Sequence, residues 1–257
     1  MLQLFMKKAL PKRSLFRPRI IICVPSGVTD VERRSVMGAA QRLGAKSTYI
    51  MEEPRAAAIG ADLDIFKPHG SMIVDIGGGT TDIAILSLGA CVISTSLKVA
   101  GNKMDDTIVK YMRRKHNLLI GERTAEMLKI NIGTAWPRNE ILYSEVMGRN
   151  LLTGLPKSIE VSSEEIREAL EECFSLIIAE IHKVLDDTPP ELAADIVESG
   201  IVLTGGGALL FGLDKLISSA FGLNCYVAED AVSCVALGAG KCLDNLDYAD
   251  PEYPSEI

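Results

Sequence analysis

The sequence predicts an α/β fold whose central strands are buried on both faces. Three apolar runs, residues 20–24, 72–76 and 201–203, each end in a Gly- or Pro-containing turn, the pattern of strands inside a sheet. Two capping boxes, Thr-x-x-Glu at 29–32 and Ser-x-x-Glu at 162–165, mark helix starts. With 257 residues, 47% of them hydrophobic, the chain can bury a substantial core.

The remaining elements follow in chain order. Gly77 to Gly79 form a tight turn between two strands, which makes a hairpin within a meander. An apolar stripe predicts a long helix from the second capping box to the Thr188-Pro189-Pro190 stop. The predicted elements, in order, are a strand at 20–24, a helix at 29–44, strands at 72–76, 80–86 and 91–97, helices at 102–115 and 124–132, an irregular or short-stranded stretch at 136–156, the long helix, a short helix ending near 199, a strand at 201–203 and a helix from Ala208.

Charge and cysteine usage restrict the partners and the compartment. A net charge of −7 argues against broad binding to a nucleic-acid backbone, so we expect no nucleic-acid partner. Positive charge is concentrated in the first twenty residues, where a membrane surface or an acidic partner could bind. Six scattered cysteines without a Cys-x-x-Cys pair indicate reduced thiols, and no apolar run is long enough to span a membrane. We therefore expect a cytoplasmic protein.

Two glycine triplets, Gly77-Gly78-Gly79 and Gly205-Gly206-Gly207, each directly follow a buried strand. The first turn can present backbone N–H groups and the Thr80 hydroxyl to phosphate oxygens. The second opens a predicted helix, whose N-terminal dipole suits a phosphate or a ribose. Triple glycines also occur simply as tight turns, and neither triplet has Rossmann or Walker spacing. The repetition at two strand ends favours nucleotide binding.

Asp75 is a carboxylate embedded in an apolar strand, where a charge is tolerated only with a partner or a metal ion. A Mg²⁺ ion held largely through water would suit it. The alternative is an aspartate at a strand end whose oxygens accept hydrogen bonds from turn N–H groups. The sequence leaves both interpretations open.

Further motifs carry a resemblance to a known family. They are Glu52-Glu53-Pro54 with the alanine-rich 56–61 segment, the hairpin at 74–84, the helix start at 121–126, Thr188-Pro189-Pro190-Glu191-Leu192 and the loop at 204–209. From about Pro18 to Asp244 the chain resembles the bacterial actins of the MreB and Mbl type. The resemblance implies an actin-like, ribonuclease H-like ATPase fold with two domains flanking a nucleotide cleft. It also implies ATP and Mg²⁺ as cofactors and filaments on the inner membrane face that direct cell-wall synthesis.

The resemblance also implies roles for individual residues. Glu53 would orient the attacking water, and Thr80 would assist beside the γ-phosphate. Leu15 and Phe16, within a basic ring, would insert into the membrane, although from sequence alone they also fit an edge loop packed on the domain. The implied nucleotide contacts are Asp75, Gly77, Gly78, Gly79, Thr80, Glu126, Met127, Leu128, Lys129, Gly205, Gly206, Gly207, Ala208 and Leu209.

The domain division follows the same resemblance. Residues 1–70 would be the remainder of a first actin-like domain, and 71–247 a second domain with a small inserted subdomain at about 133–160. An acidic tail, 248–257, would be loose. No Asp-x-Gly-Thr hairpin precedes Pro18. The expectation is therefore an N-terminally truncated fold that lacks the first phosphate loop and has impaired hydrolysis.

Three functions remain at this stage. The first is an ATP-dependent filament protein that directs rod cell shape together with the cell-wall synthesis machinery. The second is a non-catalytic module that binds or caps intact filaments. The third is another member of the sugar-kinase and heat-shock-chaperone superfamily, which is disfavoured because the sequence has neither a convincing sugar-site aspartate nor a substrate-binding domain after the nucleotide domain.

Overall fold

The computed structural model describes residues 17–244, together with the isolated positions Leu4 and Lys8. It confirms the α/β class. Ten strands are described: β1 Arg19–Val24, β2 Ser47–Glu52, β3 Ser71–Ile76, β4 Thr81–Ser87, β5 Ala90–Leu97, β6 Leu118–Leu119, β7 Tyr143–Asn150, β8 Pro156–Ser162, β9 Ile201–Thr204 and β10 Cys225–Val227. The eight described α-helices are α1 Asp30–Arg42, α2 Glu53–Gly60, α3 Gly101–His116, α4 Glu122–Ile132, α5 Ser163–Asp186, α6 Pro190–Ser199, α7 Leu213–Phe221 and α8 Cys234–Asp244.

A five-stranded sheet in the order β10-β9-β3-β4-β5 holds the centre of the described fold. β3 pairs antiparallel with β4, and β4 with β5, which confirms the predicted meander. On its other side β3 pairs parallel with β9. Successive side chains of a strand point to opposite faces, so β3 and β4 contribute residues to two separate apolar cores, one on each face of the sheet. One face packs against α3 and α5, and the opposite face packs against α2 and α8.

A second, two-stranded parallel sheet joins β1 to β2, with α1 as the connection. Both predicted capping boxes are present, at Thr29–Glu32 before α1 and at Ser162–Glu165 before α5. The sequence-based prediction omitted β2 and α2. β2 lacks a clear signal because its residues, Ser-Thr-Tyr-Ile-Met-Glu, have neither strict alternation nor a continuous apolar run. α2 is only eight residues long and starts at a Glu-Pro step.

Helices α2 and α8 approach so closely that their backbones touch. A Cβ atom at Gly60 would lie 1.8 Å from the carbonyl oxygen of Cys234, and one at Gly238 would lie 1.8 Å from that of Ala56. Only glycine allows this approach at either position. The contact fixes α2, and with it Glu53, against the sheet face below.

Two predictions are corrected by the structure. The helix expected from Ala208 is a 3₁₀ turn, Gly206–Leu209, and α7 starts only at Leu213, because Leu210 is extended and Gly212 has a φ of +73°. The stretch predicted as irregular or short-stranded contains most of a long hairpin, β7–β8, which pairs with β6. β7 carries a weak apolar signal because only Val146 among its residues is buried.

Candidate functional site

The two glycine turns meet at one edge of the five-stranded sheet. β3 and β9 are parallel neighbours with Asp75 opposite Thr204, so both triplets leave the same ends of adjacent strands. A Cβ atom at Gly205, where φ is +82°, would lie 2.3 Å from the Ile76 carbonyl oxygen. One at Gly207 would lie 2.3 Å from the Ile76 side chain. These two glycines are therefore required for the turns to pack against each other.

Gly79 and Gly206 have no such packing reason to be glycine. A Cβ atom at either position would meet no atom within 4 Å, and neither residue has a positive φ. Both are exposed. Each thus leaves open space beside its own backbone, on turns that follow neighbouring strands. A ligand that needs close approach to backbone N–H groups, such as a phosphate chain, accounts for glycine at both places.

The first turn is also braced by the start of helix α3. Gly101 N–H donates to the Gly77 carbonyl at 3.1 Å, and Asn102 N–H donates to the Gly78 carbonyl at 2.8 Å. Lys129 donates to the Gly101 carbonyl at 3.0 Å and forms a largely buried ion pair, 2.7 Å, with Asp105. The Lys129 ammonium thus already has two partners, and both connect α4 to helix α3.

Three carboxyl groups share the space behind the first turn. Asp75 and Asp82 lie directly opposite each other on β3 and β4, both buried, on the sheet face that packs against α2. Asp75 accepts a 2.8 Å hydrogen bond from the Thr204 hydroxyl. One oxygen of Asp82 accepts from Ser26 N–H at 3.0 Å, and the other is buried without a hydrogen-bond partner in the described residues.

Glu53, the first residue of α2, supplies the third carboxyl group. Burial, followed by repulsion from Asp82 and Asp75, raises the pKa of Glu53 to about 7. Burial also raises the pKa of Asp75 to about 6, with a contribution from Asp82, although the Thr204 hydrogen bond opposes the shift. Two of the three carboxyl groups therefore carry raised pKa values because negative charge is crowded in a buried place.

The chemistry of these oxygens fits Mg²⁺, which is bound in proteins by one or two carboxylates and completes its shell with water and phosphate oxygens. The unpartnered Asp82 oxygen and its neighbour Asp75 provide such a pair. A cation there would relieve the repulsion. Among the described residues no group of three or more His, Cys, Asp or Glu side chains is arranged to hold a metal by itself. The ion would therefore need ligands from a bound phosphate chain and water.

An open cavity of about 400 Å³ lies beside the second turn, and four of the predicted nucleotide contacts line it: Lys129, Gly206, Gly207 and Leu209. The other predicted contacts divide between surface and core. Thr80 is half-buried at the end of the first turn, and Glu126 and Met127 are exposed on α4. The side chains of Leu128 and Ala208 are buried in the apolar core, so only their backbones are available to a ligand. Leu15 and Phe16 lie outside the described residues.

Sequence reasoning missed Asp82, which lies opposite Asp75, and it missed Arg138 and Phe211, which line the cavity beside the second turn. The signal for Asp82 was available, because it interrupts an apolar strand as Asp75 does. Arg138 and Phe211 gave no signal, because each is a single residue in a segment without a motif. Only the folded chain brings them together.

Comparison with known proteins decides the family. The profile of the MreB/Mbl protein family matches residues 1–250. The chain belongs to the MreB/Mbl family. The cell shape-determining protein Mbl of Bacillus cereus is 49% identical over 247 residues, a match that covers 96% of this chain and 74% of that protein.

Solved structures agree with the family assignment. The crystal structure of MreB 5 of Spiroplasma citri bound to AMPPNP aligns with a TM-score of 0.91 at 40% identity, over 96% of this chain and 75% of the other. The MamK double helical filament aligns with a TM-score of 0.81 at 25% identity, over 95% and 74% of the two chains. The predicted actin-like fold is confirmed, and the MreB/Mbl family comprises cell shape-determining actin homologues.

Proposed function

We propose that this MreB/Mbl chain binds ATP with Mg²⁺ between its two glycine turns and assembles with copies of itself into filaments. The observation that carries the proposal is the open space beside Gly79 and Gly206 on neighbouring turns, together with the unpartnered carboxylate oxygen of Asp82 behind the first turn. Solved relatives support it, because MreB 5 is described as bound to AMPPNP and MamK as a filament.

The position of each residue determines its proposed role in nucleotide binding and hydrolysis. Backbone N–H groups of both turns and the Thr80 hydroxyl bind phosphate oxygens, and Asp75 and Asp82 hold Mg²⁺ largely through water. The ion, when bound, would neutralise charge on the phosphates. Glu53, placed at the start of α2 beside these carboxylates, orients the attacking water, and Thr80 assists at the terminal phosphate. A pKa near 7 leaves Glu53 able to accept a hydrogen bond or a proton near neutral pH.

The experiment compares assembly with and without nucleotide. The 257-residue chain is incubated with Mg²⁺ and ATP, ADP or no nucleotide, then examined by sedimentation and negative-stain electron microscopy. We expect ATP binding and filaments that depend on it. Binding without filaments in any condition would overturn the assembly part and favour a module that binds or caps other filaments. Failure to bind ATP would overturn the whole proposal.

We further propose that the chain lies on the inner face of the cell membrane and there directs cell-wall synthesis and rod shape. The support is the apolar pair Leu15-Phe16 among Lys12, Arg13 and Arg17, a composition suited to an anionic lipid surface. In the described part of the chain, no helix is long and apolar enough to cross a bilayer. The attachment proposed here, through the apolar pair, is peripheral.

Vesicle flotation tests the attachment. The chain is mixed with vesicles containing anionic phosphatidylglycerol, and the bound fraction is compared with that of the double variant Leu15→Ser, Phe16→Ser. A matched control changes Leu152 and Leu155 to Ser, two exposed leucines in the β7–β8 connection. We expect the first variant to lose binding and the control to keep it. Equal binding by all three proteins would contradict the assigned anchor, and complementation of a shape-defective cell by each variant tests the link to wall synthesis.

A further inference from the structure

Strand β1 has one edge without a neighbour in the described part of the chain. It pairs with β2 alone, in parallel and along its whole length, Arg19–Val24. We call the side of β1 that faces away from β2 the open edge. The apolar run 20–23 is only half-buried, although its sequence is that of a strand covered on both faces. An apolar strand with unpaired backbone groups is a template for pairing with another strand.

The other parallel strand pair of the fold shows what closes such an edge. β9 and β10 are joined through helix α7, as β1 and β2 are joined through α1. β9, however, has a strand on each side, β10 and β3, and all four of its residues are buried. β1 has the same local arrangement with one neighbour fewer. Its greater exposure therefore comes from the open edge and not from its composition.

One hydrogen bond shows which residues present their backbone at the open edge. The Pro18 carbonyl accepts from Lys46 N–H at 2.8 Å, so residue 18 faces β2. Backbone polar groups of successive strand residues point to alternate edges, and the even-numbered residues of β1 therefore also face β2. The odd-numbered residues, Arg19, Ile21 and Cys23, direct their N–H and C=O groups to the open edge. Each of them carries one donor and one acceptor that a further strand could pair.

β1 also lacks the features that usually protect a sheet edge, namely a bulge, a proline or a central charge. β5, at the edge of the five-stranded sheet, has a bulge at Val92 and a polar stretch at 94–96. β1 pairs with β2 in an unbroken register, contains no proline, and carries its single charge, Arg19, at its first residue. A second strand can therefore approach the run 20–24 without meeting a charge.

We propose that the open edge of β1 binds the open edge of β1 in a second copy of this chain. The two strands run antiparallel about a two-fold axis and join the two small sheets into one of four strands, β2-β1-β1-β2. A strand edge related to itself by a two-fold axis is self-complementary, and an antiparallel strand is commonly added to the edge of a parallel sheet. Two strands alone are marginally stable, so the larger sheet gains from the pairing. The dimer needs no nucleotide, which separates it from the proposed ATP-dependent filament.

The test uses opposite charges placed on the two copies. Sedimentation velocity over a hundredfold range of concentration, without nucleotide or Mg²⁺, is measured for the unmodified chain, for Ile22→Lys, for Ile22→Glu and for an equimolar mixture of these two variants. Ile22 is half-buried and belongs to neither apolar core, so a charged side chain there is compatible with a folded monomer. Val92→Lys, on the protected edge strand β5, is the matched control. Circular dichroism confirms that each variant is folded.

We expect the unmodified chain to form a dimer whose population rises with concentration. Ile22→Lys and Ile22→Glu alone should weaken it at least about tenfold, because like charges then meet across the strand pair. The mixture should restore the dimer, and Val92→Lys should leave it unchanged. Hydrogen exchange measured by NMR should show the Ile21 and Cys23 amides becoming protected as the dimer forms, whereas protection of the Ile20 and Ile22 amides should not depend on concentration.

A chain that stays monomeric at every concentration would overturn the proposal, as would a dimer that the Ile22 variants do not weaken. Failure of the mixture to dimerise, with both variants folded, would also overturn it. These results are independent of the proposed function. ATP-dependent filaments without the nucleotide-free dimer would leave that function intact, and a dimer of a chain that does not bind ATP would support β1 pairing alone.

Discussion

Replacement of Glu53 by Gln should make the ligand-free protein more stable at alkaline pH. The pKa of Glu53 is raised from 4.5 to about 7 by burial and by the charges of Asp82 and Asp75. Between these two pH values the folded chain holds the proton more strongly than the unfolded chain does. The contribution of Glu53 to the free energy of unfolding is therefore fully present below about pH 4.5 and is lost as the pH rises through about 7. Glutamine keeps the shape and has no charge to lose.

The size of the effect follows from the pKa values. Each pKa unit corresponds to about 1.4 kcal/mol, but Glu53 is partly exposed and solvent screens the repulsion, so we expect a gain of about 1–2 kcal/mol at pH 8. For a chain of this length that is a rise in Tm of about 3–6 °C. At pH 5 the gain should be only about a quarter as large, because the folded wild-type residue is then protonated while the unfolded one is already largely ionised.

Differential scanning calorimetry at pH 5 and pH 8, without nucleotide or divalent cations, measures both values. Glu140→Gln serves as control, since it removes the same charge from an exposed side chain. It should shift Tm by less than about 1 °C at either pH. A Glu53→Gln variant that is less stable than wild type at pH 8, or equally shifted at both pH values, would refute the idea that Glu53, Asp75 and Asp82 repel one another.

Three other predictions address packing, the turn and the ion. Gly238→Ala should lower the free energy of unfolding, measured with urea, by about 3 kcal/mol, because its Cβ would collide with the Ala56 carbonyl. Gly240→Ala on the same helix, where a Cβ would meet no atom within 4 Å, should be neutral or slightly stabilising. Gly79→Ala should leave Tm nearly unchanged yet abolish ATP binding. Gly121→Ala, where an added Cβ also meets no atom within 4 Å, should change neither Tm nor ATP binding. Retained ATP binding in Gly79→Ala would contradict the phosphate-binding role of the first turn. With Mg²⁺ present, ATP at 100 times its Kd should raise the free energy of unfolding by about 2.7 kcal/mol, and chelation of the metal should remove most of this stabilisation. Equal stabilisation after chelation would exclude a role for the ion.

The sequence predicted the parts of the fold that depend on strong local signals. β3, β9 and the two capped helices are long apolar or well-capped patterns, and the structure has them. β7 gave a weak signal because only Val146 among its residues is buried. The helix expected from Ala208 was wrong because the extended Leu210 and the positive φ of Gly212 interrupt it. In each case tertiary pairing or backbone geometry, rather than periodicity, decides the local structure.

For the candidate site, sequence patterns identified the glycine turns and Asp75 but not their relation to one another. That Gly205 and Gly207 allow the turns to pack, whereas Gly79 and Gly206 leave open space, is visible only once the atoms around each position are known. The contact between the Arg138 guanidinium and the Phe211 ring likewise depends on two loops joined by a backbone bridge. Long-range contacts of this kind leave no pattern in a single sequence.

The most direct test of the central claim is isothermal titration calorimetry of Mg²⁺ and ATP against the 257-residue chain. The account predicts saturable binding with one nucleotide per chain, weakened strongly by Asp82→Asn because that change removes a charged oxygen from the proposed ion site. Absence of binding heat at millimolar ATP, together with no change in Tm, would contradict the assignment of the two glycine turns as a nucleotide site.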